Sequence, residues 1–352
     1  MKILLAALLA AAGSAHGAPA ESTGTAKAAI DASTSALLQG DANRALAAMA
    51  VPAAEFSAKD ADYRACLFGR FERTSPPYLP DDLPERDLRE LLTAYRTYWW
   101  QALKTPAQRE ALDAQLLARL RTLLGPDAPA EWDAVEEAIT QRVVAHGYHA
   151  QLGRTPPLRE FMLWRKQTSL PFDVKLPETT YAVHVEMLDD FVSLGWSHYA
   201  RCGRGSAGGW ATTDRLYAVK PWFGDIHSDQ FLASLLGHET QHFADLTQYK
   251  DLKAWELEYR AKLTELWTAR ETLPKLLAKF AAAQSDDMES PHTYANKRVL
   301  AHLAERLRGE GVAVNKADLT DVPADTLRRA AQEQLAADSK GRQPQVAPAA
   351  NP

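Results

Sequence analysis

The stretch FLASLLGHETQHFADLTQY, residues 231–249, constrains the fold of this 352-residue chain more than any other. Ser228 offers a hydroxyl N-cap just before it, Asp229 an acid for the first turn, and no proline interrupts residues 230–249. One continuous helix over about residues 228–249 is therefore expected. Leu232, Leu235, Leu236, Phe243 and Leu246 make that helix largely apolar, as a helix buried beneath a site would be. At 3.6 residues per turn, His238 and His242 stack on one face, about 6 Å apart along the axis. From there both imidazoles reach one ion at about 2.0–2.1 Å. Glu239 projects about 100° away around the helix, too far to be a ligand but able to reach a water in an open coordination position. An HExxH segment of this kind lets a metal acidify that water while Glu239, as general base, takes its proton during attack on a carbonyl. The same acid then returns the proton to the leaving amine. The plain alternative is a half-buried helix whose histidines only hydrogen-bond.

The first twenty residues, MKILLAALLAAAGSAHGAPA, place one lysine before an apolar run from Ile3 to Ala12 and then small residues. That is the layout of a secretory signal peptide cleaved after Gly17 or Ala20. The run is about half the length of a spanning helix. The expectation is an exported protein, periplasmic or secreted, with no membrane span once the signal is removed. Export makes Cys66 and Cys202 a candidate disulfide, and their isolation excludes a CxxC redox motif. The formal net charge is −5 and the charges are interspersed, so nucleic acid is not an expected partner.

Residues 21–34 are small and polar and read as an irregular leader. From about 35 to 150 the apolar spacing is helical, with Thr105 as an expected N-cap before Pro106, Gly125-Pro126 as a stop, and a further helix over 130–146. After Pro156-Pro157 the pattern changes. TYAVHVEML (180–188), DFVSLGWSHYA (190–200) and GWATTDRLYAV (209–219) read as three strands of a small antiparallel sheet, with a loop over Gly203–Gly209 between the last two. Helices follow at about 228–249, 253–283, 292–308 and 324–337. The expected organisation is a signal peptide (1–20), a helical N-terminal region (21–155), a catalytic-type domain (156–338) and a disordered tail (339–352). The fold class is α+β, mainly helical.

Strand, loop, HExxH helix and a following charged helix together resemble the zincin metallopeptidases over roughly residues 180–270. A metzincin extension would need glycine at position 245 and histidine at 248, where Asp245 and Gln248 stand. The resemblance is thus to the gluzincins, and it implies a zincin-like domain, one zinc per chain held by His238 and His242, and a glutamate third ligand. In that group a small residue commonly follows the ligand by three positions. Glu258, followed by Ala261, fits, and Glu256, followed by Tyr259, is the alternative. Asp245 lies seven residues beyond His238, a rise of about 10.5 Å, so it suits orienting His242 or a neighbouring group better than binding the same ion. A donor for the developing oxyanion is also expected, with His198, Tyr199 and His292 as candidates beside His227, Tyr294 and Arg298. The function implied is an exported zinc metallopeptidase-like hydrolase of peptide or protein substrates. The alternatives are a non-catalytic zincin-scaffold binding protein of the cell envelope and a purely structural helical protein.

Overall fold

The structure is a computed structural model that describes residues 19–76 and 83–342. Most of the expected signal peptide (1–18) and residues 343–352 of the expected tail lie outside them. The chain divides into two compact units, one reaching to Leu163 and including Val192–Ser206, the other formed by Trp164–Phe191 and the chain from Ala207 onward. The expected boundary stood at 155/156, eight residues before the division after Leu163. The polypeptide enters the second unit, returns briefly to the first, and leaves again.

Unit one is built on α1 (Gly24–Leu38), α2 (Ala42–Ala48), α3 (Ala58–Phe71), α4 (Arg86–Lys104), α5 (Arg109–Leu124) and α6 (Trp132–Ala145). Residues 24–34, expected to be irregular, form the start of α1, where Thr23 caps the helix by accepting from the Ala26 N–H. Thr105 does not cap a following helix; its hydroxyl donates backward to the Gln101 carbonyl. Two strands then appear that the helical reading missed, β1 (His149–Thr155) and the long β2 (Leu158–Lys175). Next comes β3 (Thr180–Leu194), in which the first two expected strands are one, with a kink at Asp190 (φ 56°). Strands β2 and β3 each have one end in either unit.

The segment GWSHYA, expected to be a strand, is a short helix, α7 (Gly195–Ala200). Its start is set by a distant acid, because Glu160 Oε1 accepts from the Trp196 N–H at 2.9 Å. Gly195 adopts φ +83°, and a Cβ there would collide with the Glu160 carboxylate. Trp196, Tyr199, Trp99, Tyr95 and Phe161 are buried in the unit-one core. Aromatic burial of this kind contributes about 1.5–3 kcal/mol per side chain. Cys66 of α3 and Cys202 just after α7 form a disulfide within this unit.

Unit two opens with the outer part of β2 and β3 and adds β4 (Gly209–Ala211) and β5 (Leu216–Val219), in the strand order β2-β3-β5-β4. The sheet is mixed rather than antiparallel. Val185–Leu188 of β3 run parallel to Leu216–Val219 of β5, while β4 and β5 pair antiparallel. A parallel pair needs a long return connection, which residues 195–215 supply. The helices of this unit are a single turn α8 (Asp229–Phe231), α9 (His238–Gln248), α10 (Ala254–Thr268), α11 (Leu273–Ala282), α12 (Pro291–Gly309) and α13 (Ala324–Lys340). Helix α13 thus runs through Ser339 and Lys340, which were expected to begin the tail.

The expected helix over 253–283 is broken in two. Asp229 accepts from the Arg270 and Thr272 N–H groups and from the Thr272 hydroxyl, fixing the break from outside the segment. Two apolar clusters hold unit two together. One joins Val185, Met187, Leu216 and Ala218 of the sheet to Phe231, Leu235, Leu236 and Ala244. The other joins α10 to α11, α12 and α13 through Leu263, Leu266, Phe280, Val299, Leu303 and Leu327.

Candidate metal centre

From Ser228 to Gln248 the chain is helical throughout, as the proline-free run predicts, but it is not one regular helix. Ser228 caps it by accepting from the Phe231 N–H, and Leu232–Gly237 is a π-helical segment that ends where His238 begins. The wider π turn changes how the following side chains are phased around the axis, a feature that concentrates at functional sites. Gly237 allows close approach of α10, since a Cβ there would lie 3.0 Å from the Thr268 hydroxyl.

Opposite α9, helix α10 buries nine consecutive residues, Glu258–Leu266. A helix buried all round is ordinarily apolar, yet this one carries Glu258, Arg260, Lys262, Thr264 and Glu265. Buried charges survive only when paired and hydrogen-bonded, and α9 provides the partners. Thr264 donates to the Gln241 carbonyl oxygen at 2.8 Å, Gln241 donates to Asp245 Oδ1 at 2.9 Å, and Arg260 Nε donates to Asp245 Oδ2 at 2.9 Å. Arg260, with no exposed surface, continues to Asp338 at 2.7 Å. Burial pushes the Asp245 carboxyl up, and Arg260 pulls it partly back.

Asp245, expected to orient His242 or a neighbouring group, lies within this network. Its oxygens hold Gln241 and Arg260 and lock α9 to α10, and neither is hydrogen-bonded to His242. Nδ1 of His242 is buried with no hydrogen-bond partner among the described residues. The orienting acid belongs instead to His238, whose Nδ1 lies 3.5 Å from Oε2 of Glu265. The sequence reading did not reach Glu265. Its signal was the seven-residue spacing from Glu258, which puts both acids on one face of α10 two turns apart.

Between the two helices three donors converge. His238 Nε2 and His242 Nε2 are 3.1 Å apart, and Glu258 sits 3.3 Å from His242 and 3.7 Å from His238. Ligand atoms about 2.0–2.1 Å from a tetrahedral zinc stand about 3.3 Å from one another. Two imidazole nitrogens this close need a shared proton or a shared cation, and the facing carboxylate favours positive charge between them. Donor chemistry and spacing therefore both fit a metal ion, and His238, His242 and Glu258 form the one such group among the described residues. Burial opposes charge on His238, but Glu265, Glu258 and Glu239 outweigh it and raise its pKa. Burial likewise opposes charge on Glu258, but His242, His292 and His238 hold its carboxyl far below the usual range.

Glu258 is thus the glutamate the structure brings to the histidines. The alternative, Glu256, is engaged elsewhere, accepting from the Lys253 N–H at 2.9 Å and pairing with Arg342 at 3.2 Å. Glu239 is half-buried, and its carboxylate has no hydrogen-bond or ion-pair partner among the described residues. His292 reaches the cluster, with Nδ1 2.7 Å from Glu258 Oε2. His198 and Tyr199 find their partners inside unit one. His198 Nδ1 faces the Gly205 carbonyl at 3.3 Å, and the Tyr199 ring lies under the Arg70 guanidinium at 4.5 Å.

No family model matches this chain, and no curated protein or solved structure is similar to it at a significant level.

Proposed function

We propose that this protein is a zinc-dependent hydrolase of the metallopeptidase type, acting on a peptide or other amide carbonyl. The observation that carries the reading is the convergence of His238, His242 and Glu258 at tetrahedral spacing beside an unpaired Glu239. A zinc ion held by these three residues supplies Lewis acidity and lowers the pKa of water towards neutrality. The protein's own part is to orient and to move a proton. Glu265 and Glu258 fix His238 with its Nε2 turned inward. The Glu239 carboxylate, free of competing donors, accepts a proton from the attacking water and delivers it to the leaving nitrogen. The Cys66–Cys202 disulfide supports export to an oxidising compartment. Among the described residues no helix is long and apolar enough to cross a membrane.

Metal analysis of the purified chain, joined to a peptide-library cleavage screen, tests the proposal. One zinc per chain is expected in the wild type and in Glu239→Gln, with cleavage lost only in the variant; His238→Ala is expected to lose the metal. A wild type that binds no divalent metal, or one that binds zinc and cleaves no peptide or amide, overturns it.

A further inference from the structure

The segment SHYARCGRG, which the metal centre does not use, gathers positive charge in unit one. Cys202 is tied to Cys66 of α3 with Cα atoms 6.2 Å apart. Arg201 directly precedes Cys202, and Arg70 lies one turn, about 6 Å, beyond Cys66 on α3, so the disulfide draws the two arginines together. Each half-buried guanidinium spends one N–H on the C-terminal carbonyls of α7: Arg70 Nη1 donates to Tyr199, and Arg201 Nε donates to Ser197 at 3.2 Å. Their other N–H groups have no hydrogen-bond partner among the described residues, and neither arginine forms an ion pair there. Neighbouring Arg204, by contrast, has Asp60 at 2.7 Å. Burial disfavours the charge on Arg70 and Arg201, and what opposes it in each case is a tyrosine, Tyr199 or Tyr63, rather than an acid. His198, three residues before Arg201, directs Nδ1 at the Gly205 carbonyl at 3.3 Å. Burial, and then the charges of Arg201, Arg70 and Arg96, hold its imidazole towards the neutral form. Gly205 (φ +78°) lets the loop pass close to Arg201, because a Cβ there would lie 3.0 Å from Nη1.

We propose that Arg70, Arg201 and His198 form a binding site for a divalent oxyanion of the phosphate class. Charges taken out of water are held where a partner stands beside them, and the fold gives Arg204 an acid but, among the described residues, gives these two arginines none. Two guanidiniums supply the two positive charges such an anion neutralises, and their forked N–H groups match its oxygens. His198 takes up a proton as the anion arrives and adds a further charged donor. A carboxylate, with a single charge, leaves one arginine unmatched. The disulfide, the α7 carbonyls and the close approach of Gly205 order the two side chains before the ligand arrives, which lowers the entropy lost on binding. The site is independent of the metal centre.

The test is the thermal midpoint of the full, disulfide-bonded chain, titrated with inorganic phosphate and with phenyl phosphate against sodium chloride and acetate at matched ionic strength. A saturable rise is expected with at least one phosphate compound, about 3–6 °C at ten times its dissociation constant, and none with chloride or acetate. Binding of phenyl phosphate as well as the free ion means that the site accepts a phosphoryl group carried on a larger molecule; binding of inorganic phosphate alone means that it takes the free ion. Arg70→Gln and Arg201→Gln are each expected to abolish the rise. Proton NMR of the His198 ring in the wild type supplies a second reading that needs no variant to fold, and its pKa is expected to move up at saturating phosphate. Equal shifts with phosphate and chloride, a full phosphate response in both arginine variants, or a His198 titration that phosphate leaves unmoved overturns the proposal.

Discussion

Glu265 stands behind His238, with Oε2 3.5 Å from the ring Nδ1, on the face of α10 that also carries Glu258 two turns earlier. One helix therefore supplies both a candidate metal ligand and the acid that fixes the tautomer of another. Holding Nδ1 leaves Nε2 to face inward, the orientation a metal-binding imidazole requires. Glu265→Gln keeps the shape but loses the charge. It is expected to weaken zinc binding about 10–100-fold with His238 and His242 intact, as read by chelator competition. An unchanged affinity would show that Glu265 has no part in the centre.

The buried pair of Asp245 and Arg260, both without exposed surface, is expected to behave as a structural bolt. Removing Arg260 leaves Asp245 buried without its counter-charge, at a cost of about 3–5 kcal/mol, whereas removing Asp245 leaves Arg260 still paired with Asp338. Arg260→Ala should lower stability on that scale in urea unfolding, and Asp245→Ala by less. The double variant should lose much less than the sum. Additive losses would mean the two residues act independently.

Glu160 gives unit one a pH-dependent stability. Burial pushes its carboxyl up to about 7, against the Trp196 and Phe161 N–H groups that pull it down. The unfolded chain releases this proton near pH 4.3, so the native state binds it more tightly. Its contribution is complete below about pH 4.3 and is lost as the pH rises through about 7, an effect of about 4 kcal/mol. Glu160→Gln keeps an acceptor for the Trp196 N–H and cannot ionise. The fall in stability between pH 5 and 8 should flatten in that variant, and an identical pH profile in wild type and variant would sink the assignment.

The Cys66–Cys202 link closes a long segment, 136 residues apart in sequence. Removing it by the paired change to serine is expected to cost about 2–5 kcal/mol. Chemical denaturation with and without reductant should show a matching shift for the wild type and none for the variant.

Gly195 sits at φ +83° against the Glu160 carboxylate, and Gly195→Ala meets both the left-handed backbone and that collision. A loss of about 1–3 kcal/mol is expected from the backbone conformation alone. Gly224, with open space around its Cβ position and an ordinary backbone, is the comparison site where alanine should cost far less.

Local chemistry alone determined a good deal. The proline-free run after Ser228 specifies a helix, and four-residue spacing specifies that His238 and His242 share a face, because helix geometry repeats regardless of context. The apolar spacing of Leu88, Leu91, Leu92, Tyr95 and Trp99 likewise specifies the buried side of α4. Wherever a long-range partner decides, local chemistry points elsewhere. GWSHYA carries strand-forming aromatics, yet a carboxylate 36 residues upstream starts a helix there. Three strand-like segments look antiparallel, yet β3 and β5 lie side by side in parallel through a connection whose path no local pattern encodes. Spacing alone left Asp245 to serve His242 or a neighbouring group, and Arg260 from another helix supplies a partner for its charge. Helix α10 looks like a solvated, charged helix in sequence. Only its burial between α9 and the α11–α13 cluster makes Glu258 and Glu265 turn their charge inward, since a charged group removed from water is held by whatever partner the tertiary structure sets beside it.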